Sequence, residues 1–299
     1  MGAAVAASGL VRGITLAVLA LLAAALVLAL LRRRPALERG PLLEHVEELR
    51  RRLLVVAGAL LGGTMLALTV RIDVRGGWPV PEFGVYDTLA SQLFTAAADA
   101  LLPAGVQLIT TGPADGFVAQ FAIGLGLGIA LAIPVAMDQM ARFLAPALRP
   151  QERRWMAAAV LPSALLFLLG AAFGFAVLLP ATFEALFRFS AALEAETLLT
   201  VADFATFTLA FLAGCGLAFE MPLVMTLLTR VGLVRPATYW RGWRYAVILI
   251  LVLAMAITPD PTIVSQLLLA VPLILLYVLG AGLATWVDRR GGPRGGFAA

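Results

Sequence analysis

The stretch "HVEELRRRLLVVAGALLGGTMLALTV" (45–70) sets the chain's single histidine, two glutamates and three arginines directly before an uncharged apolar run, 53–70. As a helix rising about 1.5 Å per residue, such a run matches a hydrocarbon layer roughly 30 Å thick. Just upstream, Leu42, Val46, Leu49 and Leu53 recur at spacings of three and four, and Glu48 and Arg52 lie four apart on another face. The pattern predicts an amphipathic helix along the membrane interface that then turns into the span. Two readings of it stay open: an anchor with an ordinary Glu48 to Arg52 ion pair, or a recognition helix.

Outward from this stretch the same signal repeats. The 299 residues are 62% hydrophobic and 13% charged, with a mean hydropathy of +0.97, which describes a polytopic membrane protein. Apolar runs predict spans near 13–31, 53–70, 117–141, 155–179, 205–229, 245–258 and 264–287. The sixth reaches only about 21 Å and must borrow from Trp240 to Arg244. All 22 basic residues are arginine, and 18 of them fall in one of the two alternating sets of connections. That side is therefore expected to be cytoplasmic, with the N-terminus outside and the C-terminus inside. The net charge of +4 reflects this topology and gives no support to nucleic-acid binding.

Arg12 before an apolar stretch is also how a secretory signal begins, but three arginines follow at once with no small-residue cleavage site, so an uncleaved anchor is expected. The predicted organisation is an anchor and linker (1–40), a six-span core (41–287) and a Gly- and Arg-rich tail (288–299). Cys215 lies inside a span and reads as a packing residue. One histidine and one cysteine provide no metal-ligand set and no Cys/His pair, and "GLGLG" (124–128) reads as helix packing rather than a phosphate loop. No cofactor and no enzymatic activity are expected.

Four further places hold polar residues worth weighing. The loop "ARFLAPALRPQERRW" (141–155) is restrained by Pro146 and Pro150 and keeps Glu152 near the membrane surface, as a solvated charge or as a partner of Glu48. Glu220 lies deep in the fifth span, where an ionised carboxylate costs a few kcal/mol, so it should be neutral, paired or facing water. Pro222 frees the carbonyl of Ala218 beside it, and Pro134, Pro162 and Pro272 lie inside other spans, so four bent helices and an open assembly are expected. Asp115 opens the third span, as a helix cap or a functional acid. Gln266 should hydrogen-bond a neighbouring helix. On the outer side, 71–116 is the longest stretch outside the membrane, with one short helix read over 86–102.

"HVEELRRRL", "FLAPALRPQERR", "FEMP" and "ITPDP..VSQLLLAVPLILLY", in this order over Pro41 to Ala284, resemble the TatC family, the multi-span subunit of the twin-arginine protein translocase. The resemblance implies an all-α cup of six spans that recognises twin-arginine signal peptides and uses the proton-motive force. It implies that Glu48 and Glu152 bind the signal's arginine pair, that Arg50 and Arg52 orient these acids, and that Phe143, Pro146 and Leu148 shape the site. Glu220 would face the concave side, and the last two spans, with Gln266, would dock TatA-like and TatB-like single-span subunits in an oligomer. The resemblance places the chain in a bacterial or archaeal cytoplasmic membrane, in contact with lipid. Two departures stand out: Val278 occupies a position where many relatives carry glutamate, and Asp260 aligns with the family's aspartate only after a shift of one place. The span at 13–31 is extra, as a plain anchor or a fused partner-like segment. The alternative from another class is a proton-coupled transporter with Glu220 as its relay; no acid equally deep in another span was identified to serve as its partner.

Overall fold

A computed structural model describes residues 43–75, 78–84, 86–102, 106–144, 156, 158–192, 198–257 and 263–290. Glu152, Pro146, Leu148, Asp260 and the whole of 1–40 lie outside the described residues. The first described element, α1 (Leu43–Thr69), is one continuous helix of 27 residues, about 40 Å long. The expected turn between an interfacial helix and a span is therefore absent. Nothing from residue 43 to 57 is Gly or Pro, and Leu, Glu and Arg are strong helix formers, so no residue breaks the ladder where the charges end.

Beyond α1 the chain forms an antiparallel hairpin, β1 (Val70–Arg75) and β2 (Trp78–Phe83), with Arg75 opposite Trp78. Then come α2 (Leu89–Leu101) and β3 (Gln107–Ile109). The helix expected over 86–102 is α2, capped by the Thr88 hydroxyl, which accepts from the Ser91 N–H at 3.4 Å. The hairpin was not expected, although Val70, Ile72 and Val74 alternate before a Gly76-Gly77 pair, a short-range hairpin signal. β3 pairs in parallel with the distant β4 (Leu198–Thr200). Two three-residue strands 91 positions apart leave no local pattern to read.

α3 (Asp115–Leu144) packs along α1, and their closest approach is at glycines. A Cβ on Gly128 would sit 2.6 Å from the Leu60 carbonyl oxygen and collide with the Thr64 hydroxyl, while Gly63 faces the Gly128 backbone from the other helix. The packing reading of "GLGLG" holds: Gly124 meets Leu68 of α1, and Gly126 meets Leu209 of α6 (Val201–Phe219).

The fourth crossing runs from α4 (Val160–Phe173) through a π-helical turn (Gly174–Leu178) into α5 (Leu179–Ala192). In the turn the Leu179 N–H donates to the Gly174 carbonyl, five residues back. The cause is Pro180, which lacks an N–H and whose ring would strike the carbonyl of Ala176 in a regular helix. Pro162, expected to bend this span, is the third residue of α4 and follows an interruption at Ala159, between helical Ala158 and Val160; its missing N–H leaves the Ala158 carbonyl without a helical donor. Pro134 and Pro272 are interior to their helices.

α6 ends at Phe219 and α7 (Met221–Val231) follows after Glu220. Gly232, with φ 81°, closes α7 in the left-handed region that favours glycine; its N–H donates to the Thr229 carbonyl, and the Leu233 N–H to the Leu228 carbonyl. Pro236 then opens α8 (Pro236–Ile257), so the sixth span does take in Trp240 to Arg244. α9 (Ile263–Arg290) is the last helix.

The largest core lies toward the end of the molecule opposite the arginine-rich connections. There Phe204 of α6 stacks on Phe183 of α5 at 5.8 Å and meets Phe94 of α2 edge-on at 5.4 Å. Cys215 is 2% exposed in the same core, against Gly174, which bears out its packing role. A smaller cluster at the arginine-rich end joins Met137 and Ala141 of α3 to Met156, Ala159 and Leu227. Five helices are long and apolar enough to cross a membrane among the described residues. The chain is a multi-pass, all-helical membrane protein with two small β elements.

Candidate functional site

At the arginine-rich end, α1 and the last turns of α3 share a band of charge. Glu48 and Arg52 are one turn apart on α1, so their side chains meet. The Arg52 Nε donates to Glu48 Oε1 at 3.2 Å, and its Nη2 makes a closer charge-assisted bond to the same oxygen. Its remaining arm reaches across: Nη1 donates to the backbone carbonyl of Gln139 on α3, at 3.3 Å. One planar guanidinium thus fixes a carboxylate and ties two helices together, a geometry that lysine with its single point charge would not reproduce. The Arg52 side chain is 18% exposed and that of Glu48 34%. The acid is held in place yet accessible, and among the described residues no contact occupies its Oε2.

Arg50 points elsewhere. It is exposed and pairs with Glu47 at 3.8 Å, not with Glu48, so of the two arginines assigned to orient the acid only Arg52 touches it. Phe143 is half-buried in the last turn of α3, one turn beyond Gln139. In sequence it lies three, five and nine residues before Pro146, Leu148 and Glu152, which fall outside the described residues.

The same band contains an acid that sequence reading missed. Asp138 is 5% exposed, and its Oδ2 takes the Arg142 Nε at 2.8 Å. The signal was present as an i, i+4 acid and arginine pair at the end of an apolar run. Asp138 is thus a second acid within a span, six residues from the end of its helix and paired.

Glu220 occupies a different region. It stands at the junction of α6 and α7, where its N–H falls back on the Leu217 carbonyl at 3.2 Å and its own carbonyl accepts from Val224 at 2.9 Å. Pro222 removes a donor here, and the helix breaks as its position predicts. Glu220 is 7% exposed with both carboxylate oxygens buried, and neither oxygen has a hydrogen-bond partner among the described residues. It lines an apolar cleft of about 420 Å³ with Leu217, Val224, Ile250, Leu253, Leu269 and Leu273. Gln266, one turn before Leu269 and Ala270, does not line this cleft; its Nε2 donates to the Leu251 carbonyl of α8 at 3.0 Å. The expected interhelical bond is made, within the chain, and the two intramembrane polar residues remain separate.

Asp115 has a clear local partner set. Its Oδ2 accepts from the Thr111 N–H at 2.6 Å, the Thr111 hydroxyl at 3.0 Å and the Gly112 N–H at 2.9 Å, which ties down the turn at the start of α3. Among the described residues no group of three His, Cys, Asp or Glu could hold a metal ion.

Known proteins share this chain's sequence pattern and fold. The profile of the family described as Sec-independent protein translocase protein (TatC) matches residues 44–272. A Sec-independent protein translocase protein TatC of Deinococcus radiodurans is 35% identical over 250 residues, covering 84% of this chain and 87% of its own length. One from Cenarchaeum symbiosum is 34% identical over 253 residues, 83% and 95%. A crystal structure described as the twin-arginine translocase receptor TatC superposes with a TM-score of 0.68 at 31% identity, over 82% of this chain and all of that one. With the helix order, the charged band on α1 and α3 and the break at Glu220 in place, these likenesses show that the chain belongs to the TatC family of Sec-independent protein translocase proteins.

Proposed function

We propose that the chain is the signal-receptor subunit of a twin-arginine translocase, with Glu48 as the anchor of its binding site and Glu152 as the second acid. The observation that carries this is the Glu48 carboxylate, fixed through one oxygen by Arg52 and left accessible at the other. Two arginines in a signal peptide carry the planar, permanently charged forks that such an acid matches, and a charge-assisted bond of this kind contributes about 1.5–3 kcal/mol. Two of the three arginines beside Glu48 are themselves engaged, Arg52 with Glu48 and Gln139, and Arg50 with Glu47.

The remaining parts of the proposal rest on the resemblance to the family. The arginine-rich end faces the cytoplasm of a bacterium or archaeon. Phe143, Pro146 and Leu148 border the acids, Gln266 and the last two helices meet TatA-like and TatB-like subunits, and Glu220 lies along the path of the signal's apolar segment. Export of folded proteins is driven by the proton-motive force and needs no cofactor. The proton-coupled transporter finds no support among the relatives, which carry the translocase name.

The test is photocrosslinking to the chain, in membranes, from a twin-arginine signal peptide that carries the photoreactive group beside its arginine pair, against a twin-lysine control. Crosslinks lost with lysine, and lost in Glu48→Gln and Glu152→Gln chains that insert normally, are expected. Equal crosslinking to both peptides would overturn the receptor assignment.

A further inference from the structure

Of the five helices long and apolar enough to cross a membrane among the described residues, α1 is the least covered: 17% of its crossing residues are buried, against 33 to 39% in the other four. α3 covers only one side, through Gly63, Thr64 and Ala67. The opposite side presents Leu54, Leu61 and Met65, each more than half exposed. Between them lie Gly58 and Gly62, one turn apart, with open space where a side chain would sit. This is a notch that admits a second helix backbone closely, the geometry by which small residues four apart pack helices in lipid. Toward the arginine-rich end Leu54 of this face also borders a shallow hollow of about 380 Å³ that runs round the helix to Val46, Leu49 and Leu53 beside Arg50.

We propose that the occupant of this face is the chain's own apolar stretch 13–31. Its sequence, "GITLAVLALLAAALVLALL", sets Gly13, Ala17, Ala20 and Ala24 at spacings of four, three and four, a small-residue face that complements Gly58 and Gly62. Residues 32–42 are the only connection between 13–31 and α1, and this length of chain spans at most about 40 Å. Consecutive antiparallel helices joined by short links are ordinarily neighbours. Arg32, Arg33 and Arg34 hold the link at the same surface as Arg50 to Arg52. The uncovered side of α1 is where a helix so tethered finds apolar partners and a matching notch.

In a full-length Cys215→Ala chain, Ala24→Cys is paired with Leu61→Cys, and a protease site is inserted between residues 36 and 40. After oxidation in native membranes and cleavage, the two fragments are expected to stay joined on a non-reducing gel. Ala24→Cys paired with Leu275→Cys, on the uncovered face of α9, should give separated fragments. Adding Gly58→Leu and Gly62→Leu, which fill open space and leave the α3 contact untouched, should cut the joined product at least five-fold at equal chain recovery. A bond between two differently tagged copies, a bond to a separate small protein, or no bond at all would each overturn the proposal.

Discussion

The guanidinium of Arg52 does three things with one planar group, and that sets what its replacement costs. Arg52→Lys keeps the charge but loses the simultaneous reach to Glu48 and to the Gln139 carbonyl. Glu48 then samples more orientations, and binding of a twin-arginine signal peptide is expected to fall about ten-fold, some 1.4 kcal/mol, with helix content in circular dichroism unchanged. Glu48→Gln should cost at least as much, because it removes the charge itself. Asp138 lies in the same band but has a separate partner. Asp138→Asn strands a half-buried Arg142, and since that arginine still reaches solvent the expected loss is about 1–2 kcal/mol, between the values for surface and buried pairs. Thermal unfolding in detergent would read it as a Tm lower by a few degrees. Neither acid was equally legible. Glu48 stood out because it preceded a long apolar run, whereas Asp138 was hidden inside one.

Helices were legible wherever their stop and start signals were local. "VGLVRPAT" (231–238) gives both the left-handed Gly232 that closes α7 and the Pro236 that opens α8, and Pro222 marks the break at Glu220. Proline position in the helix mattered more than proline number: Pro162 follows an interruption of the ladder at Ala159, while Pro180, just past the predicted end of its span, forces the π-helical turn. The parallel pair of β3 and β4 had no local signal because its partners meet only after α3, α4 and α5 intervene. Glycine position is just as decisive. Gly128→Ala puts a Cβ 2.6 Å from the Leu60 carbonyl oxygen, a backbone atom that cannot rotate away, so α1 and α3 must separate at a cost of about 1–3 kcal/mol. Gly242→Ala, in α8 with open space around it, should be neutral or stabilise by up to about 1 kcal/mol. A side-by-side comparison of melting temperatures checks both, and equal shifts would refute the close contact of α1 with α3.

Counting crossings for the whole molecule depends on α8, which carries Arg241 and Arg244 in its first turns and falls outside the five plainly apolar helices. Connectivity supplies what composition does not. α7 ends at the arginine-rich end with Arg230, and α9 reaches that end again only at Arg289 and Arg290. α8 must therefore cross between them, and its 22 residues, about 33 Å, suffice. Six crossings by α1, α3, α4 with α5, α6 with α7, α8 and α9 put the start of α1 and the end of α9 on one side. If 13–31 also crosses, the two termini of the chain are on opposite sides. In a Cys215→Ala chain, Ala3→Cys should then react with a membrane-impermeant maleimide applied from outside, while Ala298→Cys should react only after the membrane is opened. Protection of both positions would mean that the apolar stretch 13–31 does not cross, leaving the uncovered face of α1 to lipid or to another protein and overturning an N-terminus outside the cell.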